Sequence, residues 1–207
     1  MMYERLTLMR ELLSERGSIY VHCDWRLMHY IRGLLDELFD KKNFRNQIVW
    51  YYPHMTPARK HMGRKHDIIF WYTKSENYVF NLDDIREPYD EQTIKRYKNP
   101  VVFPGGYKAK MNERGKIPDD VWKIPPIRNV SQEKMDFPTQ KPEALLERII
   151  KASTNEGDLV ADFFCVRKGT RVWKVEAPPV VPPHAGGQAG SLPASGGGLG
   201  RGLPDPH

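Results

Sequence analysis

The stretch TQKPEALLERIIKASTNEGDLVADFFC, Thr139–Cys165, decides how this chain is read. Its first half predicts a helix. Pro142 falls near the start, where a missing N–H costs least, and Thr139 is placed to cap. Glu143 and Glu147 stand at helical spacing from Arg148 and Lys151. Its second half predicts a buried strand, with Leu159, Val160 and Ala161 running into Asp162, Phe163, Phe164 and Cys165. Taken alone, the helix reads equally well as a capped surface helix. What sets it apart is that it leads directly into an apolar strand ending in an acid and two aromatics.

Such a strand normally hands over to a glycine loop when it serves a nucleotide-like ligand, because bare backbone allows close approach. Here the next residues are Val166, Arg167 and Lys168. Composition changes at the same point: nine of the sixteen glycines and seven of the seventeen prolines lie in 166–207. That segment has no hydrophobic period and predicts disorder.

Working back toward the N-terminus, Tyr3, Leu6, Met9, Leu12 and Leu13 recur at helical spacing over 2–16, and Gly17 ends the run. "SIYVHCD" then predicts a buried strand. "WRLMHYIRGLLDELF" predicts a second amphipathic helix, with Met28, Ile31, Leu34, Leu35 and Leu38 on one side. "NQIVWYY" (46–52) and "HDIIFWYTK" (66–74) predict two further strands around a polar, basic loop. From about 75 to 130 the periodicity fades, as in a surface insertion. Helices and strands in tight succession make the fold α/β and layered.

The 207 residues are 28% charged and 40% hydrophobic, which suits a globular domain. No apolar run approaches the roughly 18 residues a membrane helix needs, so no membrane partner is expected. The formal charge is +6, but residues 1–165 carry only 27 basic against 24 acidic side chains. Where the charge sits therefore matters more than its sum. Two cysteines, Cys23 and Cys165, have no metal spacing and predict reduced thiols in a cytoplasmic protein.

Two more groupings carry chemistry. His22, Cys23 and Asp24 end the first strand, and the carboxyl ends of strands are where open α/β sheets bind ligands. Their plain alternative is packing for His22 and Cys23 and a helix cap for Asp24. Arg59, Lys60, Arg64 and Lys65 cluster in one loop. Lys95, Arg96, Lys98, Lys108, Lys110, Arg114 and Lys116 follow in the insertion, interleaved with Tyr97, Phe103 and Tyr107. Cations neutralise phosphates and aromatics stack on bases, so these loops suit nucleic acid; a solvated charged surface is the alternative.

In this order, "MYERLTLMRELLSERGSIYVHCDW", "NFRNQIVWYY", "RKHDIIFWYTKS", "PDDVWKIPPI" and "TQKPEALLERIIKASTNEGDLVADFFC" resemble the site-specific DNA amino-methyltransferases. These act on adenine N6 or cytosine N4; the order is similar to the permuted β-type arrangement, and Mod-like subunits of restriction systems look most alike. The resemblance covers about 2–165. It implies a partial Rossmann-like class I AdoMet-dependent methyltransferase fold, three-layered with a mixed sheet, followed by a disordered C-terminal tail. The implied cofactor is S-adenosyl-L-methionine, held by Thr139, Gln140, Lys141, Pro142, Asp162, Phe163, Phe164 and Cys165. His22, Cys23 and Asp24 would form the floor of the site near a base turned out of the duplex. Residues 75–130 would be the target-recognition region, and Arg59, Lys60, Arg64, Lys65, Lys108 and Lys110 would face double-stranded DNA. A homodimer or a restriction subunit is the implied protein partner.

Two departures qualify that expectation. The family's Asp-Pro-Pro-Tyr tetrapeptide, which holds the target amino group and stacks the base, does not occur in the 207 residues. If Phe164 aligns with the Phe of Phe-x-Gly-x-Gly, Val166 and Lys168 occupy the glycine positions. The expectation is a fragment comprising a partial domain over 1–165 and an out-of-frame or foreign tail over 166–207. No catalytic residue is assigned to it.

Overall fold

The structure is a computed structural model; it describes residues 2–53, 58–98, 106, 111–127, 131–135, 139–164 and 171–176. In chain order the elements are α1 (Met2–Leu12), β1 (Ser18–Cys23), α2 (Met28–Phe39), a 3-10 turn (Lys41–Asn43), β2 (Phe44–Tyr51) and β3 (His66–Thr73). A second 3-10 turn (Leu82–Ile85), α3 (Glu91–Lys98), β4 (Val121–Lys123), α4 (Glu143–Ser153), β5 (Leu159–Asp162) and β6 (Arg171–Lys174) follow.

Four strands form one mixed sheet in the order β1-β3-β2-β4. β3 runs antiparallel to β1 and β2, with Cys23 opposite Ile68 and Tyr51 opposite His66. β4 lies parallel to β2, with Tyr51 opposite Lys123. β3 is central and buried on both faces, which is why its sequence is apolar without alternation. Ile68, Phe70 and Tyr72 pack with Leu6 and Met9 of α1 and Ile31, Leu35 and Phe39 of α2. Ile69 and Trp71, one residue out of phase, pack with Ile48, Trp50, Trp122, Ile124 and Leu145 of α4. Two helices, a mixed sheet and a third helix make the three-layer α/β arrangement expected from the sequence.

Local chemistry explains most boundaries. α1 ends at Leu12, four residues short of the helix expected over 2–16, and Gly17 follows in a position where a Cβ would stand 2.7 Å from Leu13 Cδ1. Only Leu6 and Met9 of its expected apolar side are buried. Tyr3 and Leu12 are exposed, because α1 packs over the sheet by a narrow stripe. In α2 the period holds: Ile31 and Leu35 are buried, and Met28, Leu34 and Leu38 pack around them.

Three expectations differ from the structure. The insertion is not all surface, since β4 joins the main sheet, Trp122 and Ile124 enter the core, and Trp50 Nε1 donates to Ile124 O at 2.8 Å. β5 is not a buried strand. It pairs antiparallel with β6 as a separate two-stranded ribbon, and Leu159 is 72% exposed. An apolar strand is buried only when neighbouring strands and helices cover it, and among the described residues β5 pairs with β6 alone. β6 itself lies inside the segment expected to lack structure. Its four residues, Arg-Val-Trp-Lys, hold two strand formers, Val172 and Trp173, before most of the Gly/Pro-rich composition sets in.

Candidate functional site

The register brings the carboxyl ends of β1 and β2 and the first residues of β3 to one edge of the sheet. Strand parity then decides which side chains meet there. His22 shares a face with Tyr20, which stacks on Trp71 at 5.5 Å. Asp67 shares the face of Ile69 and Trp71, toward α4. His22 Nε2 lies 3.0 Å from Asp67 Oδ2, and Tyr52 also hydrogen-bonds to the Asp67 carboxylate. The His22 ring meets Trp50 edge-on at 6.0 Å, and Trp50 meets Tyr52 edge-on at 5.0 Å. Lys141, just ahead of α4, places Nζ 5.7 Å from the Trp50 ring centroid. His22 and the Thr-Gln-Lys-Pro turn, 119 residues apart in the chain, thus share one cluster through Asp67 and Trp50.

The electrostatics of the cluster are directional. Burial works against ionisation of Asp67, but hydrogen bonds from His22 and Tyr52 and the nearby Lys141 charge hold its carboxyl below the usual range. The same burial and the Asp67 charge push the Tyr52 phenol up to about 12. Burial lowers Lys141 from the ordinary ammonium value, with Asp67 opposing. Asp67 is therefore an ionised acceptor at neutral pH, and the imidazole nitrogen facing it carries the proton.

The remaining candidates divide. Cys23 points to the other face and packs against the α1–α2 core. Burial, with Asp24 and Asp67, pushes its thiol up to about 11, so it is no nucleophile at neutral pH. Asp24 turns the chain into α2: Oδ1 accepts from Arg26 N at 3.0 Å, and Oδ2 accepts from Arg26 Nε at 2.9 Å. It closes a local turn in place of the helix cap that the plain alternative gave it, because Leu27 is the residue preceding α2 and no side chain caps that helix. Thr139 does not cap α4. The helix follows Pro142, and the Glu133 carboxylate accepts the Glu143 N–H in its place. Gln140 clamps the preceding turn, accepting from Met135 N and donating to Glu133 O, both at 2.7 Å. Glu147 pairs with Lys151 at 2.6 Å, whereas Arg148 reaches Glu87 at 2.8 Å.

At the β5 end, Asp162 Oδ1 accepts from Phe164 N at 2.9 Å, closing a local turn. Phe163 packs against the α1–α2 core, and Phe164 lies under Arg5 at 5.7 Å. Lys141 and Phe163 therefore lie against opposite faces of the sheet. Cys165 falls outside the described residues.

Among the basic residues, the loop after β2 leaves from the same edge as the His22 cluster. Arg59, Lys60 and Arg64 are exposed, Lys65 is half-buried, and Arg64 stacks on the Trp25 ring at 4.1 Å. No ion pair holds these four among the described residues. In the insertion, Arg114 pairs with Asp83 at 2.7 Å, and Lys116 with Asp119 at 3.0 Å and Glu87 at 3.6 Å. Those two charges fasten the insertion together. Lys95 pairs loosely with Glu91, Arg96 and Lys98 end α3, and Lys108 and Lys110 lie outside the described residues. A groove of about 630 Å³ lined by Arg10, Glu37, Lys42 and Lys74 lies at the opposite edge and holds none of these residues.

Sequence reasoning missed Asp67, Trp50 and Tyr52 as site residues. A signal existed for Asp67, since an acid opening an apolar strand needs partners. Which partners it has follows from register.

A three-layer α/β domain with a polar cluster at the strand ends and a basic loop beside it belongs to the enzymes and binders that use a sheet edge as their site. The model of the DNA methylase family of N6/N4 methyltransferases matches residues 1–171. The chain belongs to this family. It is 34% identical over 160 residues to the type II methyltransferase M.HpaI of Haemophilus parainfluenzae, covering 77% of this chain and 46% of that protein. It is 34% identical over 169 residues to the DNA adenine methyltransferase YhdJ of Escherichia coli K12, covering 79% and 54%. Among solved structures, the M1.HpyAVI–SAM complex aligns over 75% of this chain and 60% of its own, at 24% identity and a TM-score of 0.44. The chain spans about half the length of these curated relatives. No helix among the described residues is long and apolar enough to cross a membrane.

Proposed function

We propose that the chain is part of an AdoMet-dependent, site-specific DNA methyltransferase acting on the exocyclic amino group of adenine, with cytosine N4 as the alternative target. One observation carries the reading: the His22–Asp67–Lys141 cluster and the basic loop Arg59–Lys65, whose cations have no ion pair among the described residues, leave the same sheet edge. A duplex bound by the loop brings its bases to that cluster. The adenine preference rests on the family relation to YhdJ.

The residues present fit half of a cofactor site. Lys141, a half-buried cation beside an aromatic face, suits a carboxylate. The opposite side does not fit: with Phe164 aligned to the Phe of Phe-x-Gly-x-Gly, the sequence has Val166 and Lys168 in place of the two glycines, and β5 lies outside the main sheet. With no Asp-Pro-Pro-Tyr to hold the amino group, the 207-residue chain binds DNA without transferring methyl groups. The target-recognition role of 75–130 and a protein partner, a second copy or a restriction subunit, belong to the same proposal.

The test uses the purified chain. Fluorescence anisotropy on duplex DNA is expected to show salt-dependent binding. Tritium transfer from labelled AdoMet to bulk genomic DNA is expected to stay at background, and turnover would refute the incomplete-site reading. Absence of DNA binding at low salt would refute the interface.

A further inference from the structure

The described cluster contains more than a candidate cofactor cation. Asp67 is an ionised carboxylate with a side chain 20% exposed, and it takes two hydrogen bonds, from His22 and from Tyr52. Because it can only accept, it fixes the His22 proton on Nε2. The imidazole is further held edge-on by Trp50. The other ring nitrogen, Nδ1, has no hydrogen-bond partner among the described residues, and the side chain retains 30% exposure. A carboxylate-oriented histidine whose free nitrogen is a lone pair is a directional acceptor, the arrangement that lets a second group set an imidazole's tautomer. The neighbouring groups leave little choice of ligand. Lys141 and the basic loop repel cations, while the half-buried Tyr52 ring presents an aromatic surface above the buried Trp50.

We propose that His22 Nδ1 accepts a hydrogen bond from the amino N–H of a nucleobase brought to the sheet edge, and that Asp67 is the positioning residue that presents it. This deepens the DNA reading and rests on it. A flat, neutral donor with an aromatic face fits the cluster, and an amino-purine or amino-pyrimidine has both properties. Tyr52 also hydrogen-bonds to the carboxylate, so Asp67 stays in place when His22 engages its ligand.

The experiment follows the imidazole nitrogens of the full chain, labelled with ¹⁵N-histidine, at about pH 8, above the ordinary imidazole range of about 6.5. The free protein is expected to show His22 as the Nε2–H tautomer, and Asp67→Ala to give a mixture of tautomers. An Nδ1–H tautomer in the unmutated chain overturns the proposal. Two duplexes are then added, one with adenine opposite an abasic site, the other with purine, which lacks the amino group. The adenine duplex is expected to shift His22 Nδ1 and to bind severalfold tighter than the purine duplex. Asp67→Ala is expected to erase that preference while leaving salt-dependent binding of both. Equal shifts and equal binding by the two duplexes overturn the ligand assignment. If neither duplex binds, the DNA reading fails and the ligand with it, while the tautomer arm still decides whether Asp67 positions His22.

Discussion

The register of α4 offers a sharp test, because two adjacent leucines of the same chemistry meet opposite fates. Leu145 is 2% exposed and packs with Trp50, Ile69, Trp71 and Trp122; Leu146 is 49% exposed. Leu145→Ala removes a fully buried side chain from between aromatic rings that cannot close over the gap. Such truncations cost about 2–5 kcal/mol, the transfer term plus the cavity left behind. Leu146→Ala loses about half the transfer area, leaves no enclosed cavity, and gains slightly in helix propensity, so its cost is under about 1 kcal/mol. The difference, about 2 kcal/mol or more, is read from urea unfolding followed by tryptophan fluorescence, which is suited to a core containing Trp50, Trp71 and Trp122. Equal losses, or a larger loss for Leu146→Ala, would rotate α4 by about 100°. That rotation would carry Lys141 away from Trp50 and dissolve the site described above.

Asp67 also makes stability depend on pH. Its carboxyl lies below the ordinary range in the folded state, so its stabilisation is complete above about pH 4 and is lost as pH falls through the lower folded value. Asp67→Ala is expected to cost about 1–2 kcal/mol at neutral pH through two lost charge-assisted hydrogen bonds, and much less at about pH 3; urea midpoints at the two pH values check this. In the insertion, Gly115 has φ +105° and a Cβ there would stand 2.3 Å from Glu87 O. Gly115→Ala should break the Glu87–Lys116 bridge and raise proteolysis around 86–119, with the His22–Asp67 pair intact by NMR. Replacing Arg59, Lys60, Arg64 and Lys65 by glutamine is expected to lower the salt dependence of DNA binding by up to about 3.6 in log–log slope. Replacing Arg114 should act on stability in place of that slope, since its charge is spent on Asp83.

The sequence by itself determined α1, α2 and α4, the strands β1, β2, β3 and β5, and the layering. The apolar run from Ile68 to Tyr72 has to be a doubly covered strand, and the 3.6-residue period of α2 has to face it. The blocks quoted from 2–165 also placed the chain in its family, because they are local and read in order. Tertiary structure decided what depends on register and parity. Whether Cys23 or His22 faces α4 differs by a single residue along β1, and a strand turns alternate side chains to opposite faces. Asp67 joins His22 only through the antiparallel pairing of β1 with β3. Trp122 and Ile124 enter the core only because β4 finds β2, a pairing with no local signature in three residues. The exposure of β5 was illegible for the same reason: its apolar residues state that it can be buried, and only its neighbours decide whether it is.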